Sequence, residues 1–213
     1  MIDINNEYIK NATTIAVSLS GGADSAILFH HACDVLPDKT FIPWSGFDTR
    51  RPDSIFYAME VYSFVKRSYP NVNILPHHIF KYTTMSGSKM QTSEKHKFTV
   101  TLNGMTCNPP DEAIKKFKMN VDTGHGVIEP RRSLRDRPQW LHSHFRSLYS
   151  PFVQEDKSYV KMMYEKYGVL DSLFPLTASC IGFPDETDNG QKPCRNCVWC
   201  KERLWAFGEE HLQ

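Results

Sequence analysis

The chain has 213 residues, with 25 Lys and Arg against 24 Asp and Glu, so it is long enough to bury a full core and carries no net charge that would draw it to nucleic acid or an anionic membrane. Hydrophobic residues make up 40% of it, yet no apolar run reaches the length of a membrane span, and Met1 to Glu7 has neither the basic nor the apolar region of a leader. Six cysteines in such a chain read as thiols or metal ligands rather than a disulfide framework, and a cytoplasmic location is expected.

In chain order, Thr14 to Leu19 reads as a buried strand and Ala26 to Cys33 as a helix. Between them stand Ser20, Gly21, Gly22, Ala23, Asp24 and Ser25, at a strand-to-helix turn that is a natural anion site. Two glycines allow positive φ and close approach of backbone to ligand, while unpaired N–H groups and the positive end of the helix dipole favour phosphate. The hydroxyls of Ser20 and Ser25 add neutral donors. Asp24 has the wrong sign to touch phosphate and is assigned to Mg²⁺ or to ordering the loop, with helix capping as its structural alternative. No Gly-Lys-Ser/Thr follows, so this is not a Walker loop, and no third glycine makes it a dinucleotide fingerprint.

Lys39 to Trp44 reads as a second strand and Pro52 to Ser68 as a helix burying Ile55, Met59, Tyr62 and Val65 or Lys66. Val72 to Leu75, running into His77 to Phe80, is a third strand, and Lys97 to Leu102 a fourth. This alternation predicts an α/β fold: a parallel sheet of about five strands, helices on both faces, and a ligand crevice at the carboxyl ends of the strands. Residues 120 to 150 show no period and read as a long loop. Between Lys115 and Arg146 lie eight Lys or Arg against three acids, which is either a solvated loop or a phosphate or RNA contact surface. Ser147 to Phe152 is a candidate last strand, followed by a helix from Asp156 to Tyr167 that Gly168 is placed to end.

Cys194, Cys197 and Cys200, with Cys180 upstream, supply four thiolates at spacings suited to one tetrahedral metal. Zinc in a structural role is the expected occupant, with redox-active thiols or an iron–sulfur cluster as the alternatives. The chain then divides into 1–178, an α/β domain, and 179–213, a zinc-stapled segment packed on it. Cys33 reads as a buried small hydrophobe, and Cys107 has no evident base beside it in sequence. His77, His78, His125, His142 and His144 read as structural or exposed.

The hexapeptide Ser20 to Ser25 after the first strand resembles the signature of the PP-loop, or N-type ATP pyrophosphatase, superfamily, a HUP-like Rossmannoid group whose members cleave ATP between the α and β phosphates. Adding Ser150-Pro151-Phe152, Lys157, Ser179-Cys180 and the final cysteine run with Arg203, the chain is similar to the 7-cyano-7-deazaguanine synthase (QueC) family, over about 13–35 and 149–207. Two segments usual in that family, Pro-Gly-Arg-Asn and Tyr-Pro-Asp-Cys, are missing from the middle.

The resemblance implies ATP, Mg²⁺ and Zn²⁺ on Cys180, Cys194, Cys197 and Cys200. It further implies a 7-deazaguanine carboxylate that is adenylated, amidated by ammonia and dehydrated to the nitrile. Asp24 and Lys157 are then the catalytic candidates. Ser20 to Ser25 bind the nucleotide, Lys157, Arg131, Arg132 and Arg135 are candidate phosphate clamps, and adenine contacts fall around Trp44 to Phe47. A homodimer is compatible with this, and nucleic acid at 115–146 is not favoured. Three alternatives stand beside it: a PP-loop sulfur enzyme, phosphosulfate reductase-like or a tRNA thiolase, using a thiol such as Cys107; a QueC-like ligase with a macromolecular acceptor; and a non-catalytic nucleotide-binding subunit.

Overall fold

The computed structural model describes residues 1–47, 53–81, 98–119, 139–142, 147–180, 186–188 and 192–209. Arg131, Arg132, Arg135, His125, His144 and most of the basic stretch 115–146 lie outside the described residues, and so does the segment 82–97 that joins the two halves of the sheet.

A short helix α1 (Glu7–Asn11) precedes β1 (Thr14–Ser18), α2 (Ala23–Val35), β2 (Thr40–Phe47), α3 (Asp53–Ser68), β3 (Asn73–Ile74), β4 (His78–Lys81) and β5 (Val100–Asn103). Then come α4 (Asp111–Lys116), β6 (Trp140–His142), β7 (Ser147–Tyr149), α5 (Lys157–Lys166), a 3₁₀ turn (Phe174–Leu176) and α6 (Val198–Phe207). The strands form one seven-stranded sheet in the order β3-β2-β1-β5-β7-β6, with β4 also on β2. All pairings are parallel except β6 on β7. The third strand anticipated from sequence is two pieces, separated around Pro76, whose missing N–H cannot join a ladder. The hairpin partner β6 and helices α1 and α4 are too short to show a period, and the sequence reading missed them.

Side chains alternate across β1. Ile15 and Val17 join a core with Ala26, Ile27 and Phe29 of α2, Ala58 and Val61 of α3, and Val160 and Tyr164 of α5, all fully buried. Ala16 faces the other way, with Ile42, Trp44 and Phe98. Two successive right-handed crossovers stepping outward from β1 through β2 put α2 and α3 on the same face. The buried stripe of α3 is Ile55, Ala58, Val61 and Val65, whereas Met59, anticipated inside, is 44% exposed. The missing side chain of Gly21 lets the backbone of α3 at Ser54 and Ala58 approach the β1–α2 turn closely.

On the far end of α2, burial holds His30 and His31 down to about 4. The Tyr167 hydroxyl donates to Asp34 and accepts from His31 Nδ1 at 2.5 Å, leaving His31 Nε2 buried and without a hydrogen-bond partner among the described residues. Protonating that nitrogen would place a charge in a dry site.

Because the folded-state values lie below those of the unfolded chain, the unfolded state takes up protons first as pH falls. Stability therefore declines between about pH 6.5 and 4, by up to about 3 kcal/mol for each of the two groups, and levels off below. Urea titrations across that range check it, and His31→Gln is expected to flatten the decline.

Candidate nucleotide site and metal centre

The turn after β1 is built by close approach. Gly21 sits at φ +79°, and a Cβ there would lie 2.8 Å from both the Ala58 nitrogen and the Ser54 carbonyl oxygen of α3. Gly22, expected to share the left-handed conformation, instead has φ −83° and is the N-cap of α2. A third glycine that sequence reasoning passed over, Gly104 after β5, presses its backbone on the loop: a Cβ there would be 2.7 Å from the Ser25 nitrogen.

Both hydroxyls hold the loop together. Ser25 Oγ donates to the Gly22 carbonyl at 3.0 Å and accepts from the Ser20 nitrogen at 3.2 Å. Ser20 Oγ lies 3.0 Å from Ser25 Oγ and accepts from the Gly22 nitrogen at 3.2 Å. With Gly22 capped in this way, the N–H groups of Ala23, Asp24 and Ser25 have no carbonyl partner within the helix. They converge at the positive end of a 13-residue helix, at the carboxyl edge of the parallel strands. The carboxyl end of β2 adjoins this point, for the Leu19 nitrogen donates to the Trp44 carbonyl at 2.8 Å.

Asp24 is bound to Lys157, whose Nζ donates to both carboxylate oxygens at 2.8 Å. Lys157 stands at the start of α5, which Asp156 caps by accepting from the Ser158 nitrogen. The same ammonium lies 3.6 Å from Glu202 Oε2 of α6. Lys157 and Glu202 are both buried, so this is an interior ion triad rather than a surface bridge. Sequence reasoning missed Glu202. Its signal was faint but present, because it lies four residues after Val198 on the buried side of α6, where a carboxylate requires a partner.

Arg203 makes a second brace. It lies 3.8 Å above the Phe174 ring and donates to the Thr177 carbonyl at 3.1 Å, to Thr177 Oγ1 at 2.9 Å and to the Phe174 carbonyl at 3.3 Å. Burial lowers its guanidinium to about 10, which leaves it charged. The next residue, Ala178, donates its N–H to the Gly21 carbonyl at 2.9 Å, and the Tyr164 hydroxyl donates to the Ala23 carbonyl at 2.9 Å.

The Sγ atoms of Cys180, Cys194, Cys197 and Cys200 all lie within 4.8 Å of one another, and this group can hold a metal. Backbone N–H groups of Cys194, Cys197 and Cys200 point at the sulfurs of Cys180, Cys194 and Cys197 at 3.2–3.4 Å, an arrangement that stabilises thiolates. Arg195, inside the first Cys-x-x-Cys, takes φ +58°. Without a cation, contacts with Cys180 and Cys197 together with burial push the Cys200 thiol up, which is the tendency a bound metal reverses. Tetrahedral zinc at about 2.3 Å from each sulfur sets them about 3.8 Å apart, and Cys194 and Cys200 are at 4.0 Å. A cubane cluster carries each thiolate on a different iron and spreads them to about 6 Å. The donor set fits the single ion. Cys33 and Cys107 are fully buried, away from this group.

No protein-family model and no curated protein sequence matches the chain. Among solved structures it is similar to the U34-tRNA thiolase NcsA from Methanococcus maripaludis with its [4Fe-4S] cluster, at 16% identity and a TM-score of 0.41. That match covers 73% of this chain and 56% of the thiolase, so the chain spans little more than half its length. A likeness this slight bears on neither substrate nor cofactor.

Elemental analysis of the purified protein is expected to find about one zinc per chain and no stoichiometric iron. Gly104→Ala is expected to destabilise by about 2–4 kcal/mol in urea unfolding, because the atoms it meets are backbone and cannot step aside.

Proposed function

We propose that the chain is an ATP-dependent adenylating enzyme whose acceptor is the carboxylate of a 7-deazaguanine and whose second nucleophile is ammonia. The observation that carries this reading is convergence. The stretches that give the chain its resemblance to the synthase family, at 20–25, 150–157, 179–180 and 194–203, come together around one turn: Lys157 binds Asp24, Arg203 holds Thr177, and Ala178, just before Ser179, donates to Gly21. A bare α/β core does not require a buried lysine there or a zinc-bound helix behind it.

In this reading the first-turn N–H groups of α2 receive the β and γ phosphates. A substrate carboxylate oxygen attacks the α-phosphorus, the bond to the bridging oxygen breaks, and pyrophosphate leaves with its charge toward that helix end. Ammonia then adds to the acyl carbon, gives up a proton to solvent and expels AMP to form the amide. Activation of the amide oxygen by a second ATP, followed by loss of AMP and a proton, gives the nitrile. Positioning supplies most of the rate, since ammonia needs no strong base. Zinc is structural, its four positions filled by sulfur.

Sulfur transfer through Cys107 draws no support from the geometry: that thiol is fully buried in a segment whose backbone is tied to Glu155, and a catalytic thiolate must be reachable.

Mass spectrometry of a reaction with Mg-ATP, ammonium and 7-carboxy-7-deazaguanine is expected to show the amide or nitrile together with AMP, and Cys107→Ala is expected to retain that activity. Iron with acid-labile sulfide in place of zinc, and no AMP with the small acceptor, would instead favour sulfur transfer to tRNA.

A further inference from the structure

Glu202 belongs to no resemblance the chain shows, yet it is among the most buried residues in the molecule, at 0% exposure. Its carboxylate is 3.6 Å from Lys157 Nζ, and Lys157 gives two of its three protons to Asp24 at the first turn of the phosphate-loop helix. Asp24 is the more open partner, with its side chain 20% exposed against 4% for Lys157 and 1% for Glu202. The triad therefore runs from the loop inward to the zinc-bound helix.

The two carboxylates both act on the ammonium, Asp24 at 2.8 Å from the more open side chain and Glu202 at 3.6 Å from the fully buried one. If Asp24 were its sole partner, an arriving polyphosphate, with more negative charge than one carboxylate, would draw Lys157 off Asp24 and onto itself. A buried anion behind the ammonium opposes that displacement. It is anchored, since Cys197 caps α6 and the four cysteines fix where that helix begins.

From this geometry we infer that Glu202 is a positioning residue that holds Lys157 on Asp24 and off the bound phosphates, so that the loop grips ATP loosely enough to release pyrophosphate. This rests on the nucleotide-binding reading above and adds to it the role of one residue. The sign of the effect is unusual. A residue that merely supported the fold would weaken ligand binding when replaced, whereas releasing Lys157 strengthens it.

The test is calorimetric titration of the zinc-loaded protein with Mg²⁺ and α,β-methylene-ATP, alongside kcat and KM for ATP in the AMP-forming reaction. Glu202→Gln, which keeps the shape and leaves the Asp24–Lys157 pair neutral, is expected to tighten the analogue about three- to tenfold while lowering kcat, with zinc content unchanged. Glu202→Asp keeps the charge but withdraws the carboxylate from Lys157, and is expected to behave as Gln does. An unchanged affinity in Glu202→Gln, weaker binding, or wild-type behaviour in Glu202→Asp would each overturn the inference, the last by showing that a distant charge rather than the contact is at work. Failure of the wild-type protein to bind the analogue at all would overturn the nucleotide reading itself, and this inference with it.

Discussion

The ammonium of Lys157 is the charge around which the interior is arranged. Removing it from water is expensive, and the loss is offset only because two carboxylates from two other elements meet it in good geometry. Those elements are the helix that follows the Ser20–Gly22 turn and the helix that begins in the cysteine cluster. Replacing Lys157 would leave two carboxylates without their cation, Glu202 fully buried among them, so the three helices α2, α5 and α6 are tied more firmly than their apolar contacts alone would tie them.

A second line of force runs through Arg203. Its planar fork donates to the Phe174 and Thr177 carbonyls while its face rests on the Phe174 ring, and the stretch of chain leaving that turn is pinned to Gly21. Adjacent residues of one helix thus reach the loop by two routes, Glu202 through side chains and Arg203 through backbone. The four-cysteine group stands at the head of that helix, where Cys197 serves both as N-cap and as one of the four sulfurs. Structure at the cysteines is in this way structure at the Ser20–Ser25 turn.

What could be read from sequence were features with short-range rules. The Ser20–Ser25 turn is a strand-to-helix junction with its own glycines, and the cysteines announce themselves by spacing. The long helices appeared because their apolar residues repeat, although the face of α3 was read one step out of phase: Met59 looks as apolar as Val61, and nothing local says which turns inward. β6 was hidden because a three-residue hairpin partner has no period, and the break at Pro76 was visible only as a proline. Glu202 escaped because Lys-Glu-Arg reads as a solvated helix face; its burial is decided by Lys157 and Asp24, which are remote in sequence. The role of Gly104 was equally remote, since the atoms it meets belong to another element.

Asp24 and Lys157 are 133 residues apart in sequence, and Glu202 lies further along the chain still. Closing so long a stretch of chain costs entropy before the contact rewards it, so the triad belongs to the late, non-local part of folding. The turn at Ser20–Ser25, whose own hydrogen bonds are local, thus acquires its buried charged neighbours only as the distant helices dock.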